Sequence, residues 1–94
     1  MELDDADTEA KFQYGLALAR AGVMDEAIKK LTEVVEADPE HADAFYNLGV
    51  AYSGMENQLE NALEYFNKAL AIQPDHILAS NGKKLVEQAL KEQD

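Results

Sequence analysis

Residues 45–76 read FYNLGVAYSGMENQLENALEYFNKALAIQPDH, and an earlier stretch, residues 12–41, reads FQYGLALARAGVMDEAIKKLTEVVEADPEH. Both stretches have a glycine near the start, an alanine near the middle and a proline near the end. Pro39 and Pro74 lie 35 residues apart, and each is followed by an acidic residue and then a histidine. Internal repeats of this length are typical of solenoid arrays. The sequence therefore predicts a duplicated structural unit.

The hydrophobic spacing within and after the two units predicts five helices. Apolar residues recur at intervals of three and four, and no window shows the two-residue alternation of a strand. We expect Asp7 or Thr8 to cap the first helix and Asp25 to cap the second. Gly22 would end the first helix in the left-handed conformation, and the two prolines would end the second and fourth helices. The expected helices span residues 7–21, 25–37, 42–53, 59–72 and 77–91.

The repeated unit resembles the tetratricopeptide repeat family, whose helix-turn-helix unit has a period of about 34 residues. In that family a large residue and then Leu-Gly lie in the first helix, a small alanine and an aromatic residue lie in the second, and a proline closes the unit. The second copy matches at Phe45, Leu48, Gly49, Tyr52, Ala62, Phe66, Ala69 and Pro74, and the first matches more loosely at Tyr14, Gly15, Leu18, Ala27, Leu31, Val34 and Pro39. Lys11 stands where the family prefers tryptophan. The resemblance implies an all-α solenoid of antiparallel helix-turn-helix repeats.

The expected organisation is a single domain over residues 1–94. The first repeat would cover residues 8–41, and the second would cover residues 42–76, with one extra residue in the turn between Gly54 and Leu59. Lys83 and Lys84 stand where Leu-Gly would fall, so residues 77–91 do not form a third repeat. The resemblance implies a capping helix there, with an apolar inner side and a polar outer side. The apolar stripe of that helix would contain Leu78, Leu85, Ala89 and Leu90.

Composition and charge limit the classes of function. The formal net charge is −11, and such an acidic field repels the phosphate groups of nucleic acids and of anionic membranes. No apolar stretch reaches the length of a membrane span. The absence of cysteine excludes disulfides and thiolate chemistry. The stretch MELDDADTEA is acidic, the reverse of the basic start of a signal peptide, so the expected compartment is cytoplasmic.

Catalytic and metal-binding patterns are missing from the sequence. It has no glycine-rich phosphate loop, no nucleophile elbow and no HExxH motif, so we predict that the protein is not an enzyme and uses no cofactor. His41 and His76 occupy equivalent loops, and Asp43 or Asp75 would be the nearest third metal ligand. Successive hairpins lie about 10 Å apart, whereas a Zn–N bond is about 2 Å long. We therefore interpret the two histidines as exposed loop residues that the duplication copied.

The resemblance implies a non-catalytic protein–protein interaction module, in which the first helices of successive repeats line a concave groove for a peptide. By position, the groove residues would be Glu9, Phe12, Leu16, Arg20, Asp43, Tyr46, Asn47, Val50, Leu78, Asn81 and Leu85. Of the polar clamp with which some family members hold a C-terminal carboxylate, only Asn47 is matched. Phe12, Leu16, Tyr46 and Val50 would form an apolar strip along this groove. Acidic residues lie at the edges of the strip, which suits an amphipathic protein or peptide segment with basic flanks. The strip could instead pack against neighbouring helices.

Self-association is the alternative function. Two repeats and a cap are near the minimum for this architecture, in which three repeats are usually needed. The chain could be a fragment of a longer array or an engineered repeat unit with no dedicated ligand. Phe12, Leu16 and neighbouring apolar residues would then meet another copy. The expected state is a monomer or a weak homodimer.

Gly49 provides a test of the repeat alignment. Gly15 and Gly49 lack a side chain where the paired helices are expected to cross, and Ala27 and Ala62 would be their small partners. A leucine at position 49 would overpack this crossing, at a cost of roughly 1–3 kcal/mol. We expect Gly49→Leu to unfold the protein, so that a thermal melt followed by circular dichroism shows no native-like transition. A native-like melting curve would contradict the alignment.

Overall fold

The computed structural model describes residues 5–93, with side chains described from Asp7 onward. This part of the chain forms five α-helices, and no strand is found within it. The helices are α1 (Asp5–Arg20), α2 (Met24–Ala37), α3 (Ala42–Ser53), α4 (Leu59–Ile72) and α5 (Ile77–Glu92). The all-α architecture that the sequence predicts is confirmed, and α3 and α4 have the predicted bounds.

The helices pack as two hairpins followed by α5. Helix α1 packs on α2, α3 packs on α4, and α4 packs on α5, while α2 joins the hairpins by contacting α3. Helix α3 also contacts both α1 and α5, so these three helices form one side of the array. The buried core runs through all five helices and contains Phe12, Leu31, Val34, Ala44, Phe45, Leu48, Ala62, Phe66, Ala69, Ala79 and Val86.

The turn between α1 and α2 is closed by Gly22. This residue has φ of +85°, the left-handed conformation that glycine adopts at low cost. Its amide donates to the carbonyl of Ala19, and the amide of Val23 donates to the carbonyl of Leu18 at 2.9 Å. These two bonds satisfy carbonyls at the end of α1 in the manner of a Schellman motif. The predicted role of Gly22 is confirmed.

The predicted caps of the first two helices are wrong. Asp7 and Thr8 lie inside α1, which already includes Asp5. The N-cap of α2 is Val23, which makes no side-chain cap bond, and Asp25 lies in the first turn. Helix α2 begins earlier than predicted because the Val23 carbonyl accepts the Ala27 amide at 3.0 Å. Asp25 therefore suits the positive end of the helix without capping it.

The turn between α3 and α4 contains the extra residue of the second repeat. Asn57 in this turn has φ of 65°, and no other non-glycine residue in the described part of the chain has a positive φ. Asparagine tolerates this left-handed conformation better than most residues do. The insertion is accommodated within the turn, and the pairing of α3 with α4 is kept.

Phe66 occupies the space above two glycines. A Cβ atom added to Gly49 in α3 would lie 2.7 Å from the Phe66 ring, and one added to Gly82 in α5 would lie 2.6 Å from it. Gly15 plays a looser version of this role, since its Cβ would lie 3.0 Å from the Leu31 side chain. The helices therefore approach at Gly15 and Gly49 to admit a large side chain from the second helix, whereas the sequence predicted Ala27 and Ala62 as the partners.

The buried face of α5 differs from the predicted stripe. Ala79 and Val86 are buried, but Leu78 is 57% exposed and Leu85 is 68% exposed. Because Gly82 packs under Phe66, the face of α5 that includes Ala79, Gly82 and Val86 turns toward α4. Ile77 at the start of α5 is also exposed, at 72%, whereas Lys84, Glu87, Gln88 and Lys91 give the rest of the outer side the predicted polar character.

An aromatic stack joins α3 and α4 on another side of the hairpin. The rings of Tyr52 and Tyr65 are nearly parallel with centroids 5.4 Å apart, and Phe45 lies next to Tyr65 at 6.2 Å. Burial raises the pKa of Tyr65, and the nearby Tyr52 and Glu64 raise it further. This stack keeps the Tyr65 phenol in its neutral form over a wider pH range.

The contact between Gly82 and Phe66 predicts the effect of Gly82→Ala. The new methyl group cannot be admitted by moving Phe66, because that ring is 2% exposed and also packs on Gly49. We expect a loss of roughly 1–3 kcal/mol in the free energy of unfolding from overpacking, offset by up to about 1 kcal/mol of helix propensity.

Gly54→Ala is the matched control. The free energies of unfolding of both alanine variants are measured by urea titration followed by circular dichroism. A Cβ atom at Gly54 meets its nearest neighbour at 3.8 Å, and its φ of −87° is open to alanine. We expect this variant to match or exceed the stability of the parent protein. Equal stability of the two alanine variants would show that α5 does not depend on Gly82.

Candidate functional site

A groove lies between α3 and α5 on the side of the array that these two helices share with α1. Its volume is about 410 Å³, within the range of roughly 300–1,000 Å³ that is usual for ligand sites. Phe66, Gly82, Val86, Ala89 and Leu59 line it, together with two rows of side chains along its edges. The edge residues are Tyr46, Val50 and Ser53 from α3 and Leu78, Asn81 and Leu85 from α5. We call this feature the α3–α5 groove.

The apolar residues at the edges of the α3–α5 groove are open to solvent. Val50 is 40% exposed, and Leu78 and Leu85 expose more than half of their surfaces. The deeper residues Phe66 and Val86 are buried in the core. Exposed apolar residues that are scattered singly are ordinary, but a group that borders a cavity is typical of a binding surface.

The groove brings together most of the residues that the sequence predicts for the second repeat and the cap. The predicted residues Tyr46, Val50, Leu78, Asn81 and Leu85 line it, whereas the predicted Asp43 and Asn47 do not. Tyr46 is half-buried, with its ring 5.8 Å from the ring of Phe66.

The predicted groove residues of α1 have different surroundings. Phe12 is 8% exposed, and its ring lies 4.4 Å from the ring of His41. Leu16 is partly buried against the core. The exposed Glu9 accepts a hydrogen bond from Gln13 at 2.7 Å, and Arg20 is exposed in the last turn of α1. The apolar strip therefore does not continue over α1, because Phe12 packs inside the protein.

Asn47 and Asp43 lie on the same helix and contact each other. The Asn47 side-chain amide donates to the backbone carbonyl of Asp43 at 2.8 Å, which uses one of its polar groups within α3. Asp43 lies in the first turn of α3, and its side chain is 63% exposed. It is three residues before Tyr46, a spacing that places the two side chains on one face of the helix.

The interpretation of the two histidines as exposed loop residues is wrong. His41 is the N-cap of α3, and its Nδ1 accepts the amide of Ala44 at 3.1 Å. His76 is the N-cap of α5, and its Nδ1 accepts the amide of Ala79 at 3.1 Å. His76 is only 7% exposed. Each histidine ring packs against an aromatic ring of the preceding first helix. His41 contacts Phe12, and His76 contacts Tyr46 with ring centroids 5.2 Å apart.

His76 also links α5 to α3 through Asp43. The His76 Nε2 atom lies 2.8 Å from Asp43 Oδ1. Since Nδ1 accepts a backbone hydrogen bond, the ring proton resides on Nε2, which donates to the carboxylate. The imidazole is neutral in this arrangement, so the contact is a hydrogen bond and leaves the full negative charge on Asp43. One side chain thus caps α5 and fixes the orientation of a carboxylate on α3.

Several residues of the site were not predicted from the sequence. His76 was assigned to an exposed loop, and Gly82, Val86, Ser53, Leu59 and Phe66 were not assigned to the groove. For α5, the 3-4 spacing of Ala79, Gly82 and Val86 was a usable signal that the larger leucines obscured. For His76, a histidine directly before a helix was the signal, but histidine is not among the preferred N-cap residues.

Within residues 5–93, no three histidine, aspartate or glutamate side chains come together in a way that could hold a metal ion. None of the five helices is both long enough and apolar enough to cross a membrane.

Residues 12–77 match the tetratricopeptide repeat family, and the chain belongs to that family. It is 43% identical over 60 residues to the probable UDP-N-acetylglucosamine–peptide N-acetylglucosaminyltransferase SPINDLY of Oryza sativa subsp. japonica, a match that covers 64% of this chain and 6% of that protein.

Two solved structures are similar to this one. The first is YrrB, described as a tetratricopeptide repeat protein with an unusual peptide-binding site. It is 55% identical with a TM-score of 0.79, over 87% of this chain and 42% of that one. The second is MamA, at 27% identity and a TM-score of 0.84, over 89% of this chain and 48% of that one. The chain spans less than half the length of either structure.

The two bonds of His76 predict a measurable contribution to stability. His76→Ala removes the α5 cap and the link to Asp43, and we expect the free energy of unfolding to fall by roughly 1–3 kcal/mol. His76→Asn should recover part of this loss, because an asparagine oxygen can accept the Ala79 amide. Urea denaturation followed by circular dichroism measures both variants. If alanine is tolerated as well as asparagine, the histidine has no capping role.

Proposed function

We propose that this protein is a non-catalytic interaction module that binds an amphipathic peptide, or a helical segment of another protein, in the α3–α5 groove. The observation that carries the proposal is the exposure of Val50, Leu78 and Leu85 beside a preformed cavity of about 410 Å³. Solvent contact of these side chains is unfavourable, and an apolar partner would relieve it.

The length of the groove suits a peptide. Along α5 its lining runs from Leu78 to Ala89, which corresponds to roughly 16 Å at 1.5 Å per helical residue. This distance matches about five residues of extended chain or about three turns of helix. The described peptide-binding site of YrrB, which is 55% identical, supports the same class of ligand.

The chemistry of the lining suits a partner with apolar anchors. Complete burial of a leucine side chain contributes about 1.5–3 kcal/mol, and the three exposed edge residues would each contribute part of that amount. Binding must also offset the lost freedom of the peptide and of the side chains that it orders. We therefore expect a dissociation constant in the micromolar range, which corresponds to roughly −8 kcal/mol.

The absence of catalysis is part of the proposal. Tetratricopeptide repeats generally serve as interaction modules, and the groove is lined mainly by apolar side chains. The transferase name of the rice relative belongs to a protein of which this chain matches 6%, so that activity is not assigned to this chain.

Self-association is the second candidate. It is favoured by Ile77, which is 72% exposed and lies outside the lining of the α3–α5 groove. Phe12, which the self-association hypothesis also needs, is buried beside His41 and is unavailable for such a contact. Size-exclusion chromatography with light scattering separates the two candidates. A monomer of 10.4 kDa across the working concentration range would exclude self-association.

The groove is tested with a random 16-residue peptide library displayed on phage and selected on the immobilised protein. Enriched peptides should share apolar residues at regular spacing, and fluorescence anisotropy would give their affinities. We expect Val50→Gln and Leu85→Gln each to weaken binding about tenfold or more. Because both residues are exposed, the free energy of unfolding should change by no more than about 0.5 kcal/mol.

Val23→Gln is the matched control for Val50→Gln. Val23 is 42% exposed, nearly the same as Val50, but it lies in the turn between α1 and α2. We expect this variant to bind the selected peptides like the parent protein. A selection that yields no shared pattern, or peptides that bind all three variants equally, would exclude the α3–α5 groove as the site.

A further inference from the structure

The α3–α5 groove has a carboxylate at one end. The face of α3 that borders the groove carries Asp43, Tyr46 and Val50 at successive three- and four-residue intervals. Asp43 therefore lies one turn before Tyr46, at the end of the groove where α3 begins. Asn81 and His76 both line the adjoining hollow at the start of α5, so the apolar groove passes directly into polar surroundings.

The Asp43 carboxylate is held in place but not neutralised. His76 Nε2 donates to Oδ1 at 2.8 Å, and the histidine is itself fixed by its cap bond and by its contact with Tyr46. A carboxylate that is oriented before binding loses less conformational freedom when a ligand arrives. The side chain is nevertheless 63% exposed, so it can accept a further hydrogen-bond donor.

Among the described residues, no lysine or arginine forms an ion pair with this carboxylate. Among residues 5–93, the lysine ion pairs within 4 Å join Lys11 to Asp7 and Glu33, Lys30 to Glu33, and Lys68 to Glu64. None of them involves Asp43. The whole chain has a net charge of −11, which raises the local concentration of basic ligands.

We propose that Asp43, oriented by His76, binds a lysine or arginine side chain of the partner, while neighbouring apolar side chains of the partner enter the α3–α5 groove. This inference rests on the proposed function and specifies the chemistry of the ligand. The partner is thus a segment in which a basic residue lies about one turn from an apolar anchor. Asp43 sets specificity for charge, and Val50, Leu78 and Leu85 supply apolar contact.

Three synthetic 16-residue peptides test the proposal. All have leucines at 3-4 spacing, and their flanking positions carry lysine, glutamine or glutamate. We expect the lysine peptide to bind about three- to tenfold more tightly than the glutamine peptide, and the glutamate peptide to bind most weakly. Because exposed charges are screened, the preference should shrink as ionic strength rises.

Asp43→Asn is the decisive variant. The asparagine oxygen can still accept from His76 Nε2, so the fold should keep its melting temperature while the charge is removed. We expect this variant to lose most of the preference for the lysine peptide and to keep only the small part that the overall negative charge contributes. Glu60→Gln is the matched control, because Glu60 is the acidic residue in the first turn of α4 and does not line the groove. It should keep the full preference for lysine.

The outcomes separate the two proposals. Equal binding of all three peptides to the parent protein would overturn the role of Asp43 and leave the apolar groove intact. No binding of any of the three would count against the groove itself. A lysine preference that is undiminished in Asp43→Asn, or that Glu60→Gln reduces equally, would assign the effect to the overall charge and overturn the inference. If Asp43→Asn melts at a lower temperature, all peptides are titrated well below that temperature, where the variant is folded, and the same comparison applies.

Discussion

The ring of Phe66 lies where a methyl group on either of two helices would otherwise be, and the second half of the structure depends on this contact. Gly49 in α3 and Gly82 in α5 leave room for the ring at 2.7 and 2.6 Å from their missing Cβ atoms. A residue of α4 thereby fixes its own hairpin and also sets the distance and rotation of α5. Interiors are packed closely enough that the ring cannot shift to admit another group. The position of α5 follows, and with it the shape of the α3–α5 groove.

The sequence predicted the helices well because their signals are periodic and local. Apolar spacing, Gly22 and the two prolines give the same helices as the structure, apart from residues near the ends of α1, α2 and α5. The orientation of α5 was not predictable from the size of its apolar residues. Leu78 and Leu85 formed the stronger stripe, but a glycine that admits a neighbouring ring can determine a packing face as firmly as a large side chain. Tyr46 and Val50 of the groove were predictable from repeat position, whereas Ser53 was not, and the burial of Phe12 depends on its contact with His41.

The histidines show where local sequence rules lose their force. A proline, an acid and a histidine in a loop suggest solvent exposure, and nothing in the spacing shows that Nδ1 of each ring reaches the amide three residues ahead. That bond satisfies a backbone donor that the helix leaves unpaired, and it requires a neutral ring. The paired aromatic residues, Phe12 for His41 and Tyr46 for His76, recur with the repeat. The duplication thus copied a capping arrangement, which stabilises the start of α3 through His41 and the start of α5 through His76.

The residues that stabilise the fold and the residues proposed to bind a partner are largely different ones within the α3–α5 groove. The buried lining, Phe66 and Val86, belongs to the core, so a change there alters the fold before it alters a ligand contact. The edge leucines contribute little to the core because most of their surface already contacts solvent. The pair formed by Asp43 and His76 joins α3 to α5 and, in the proposed complex, also presents a charge at the end of the groove. Replacing an edge residue can therefore change which apolar anchors fit without unfolding the protein, whereas the orientation of the carboxylate is tied to the cap of α5.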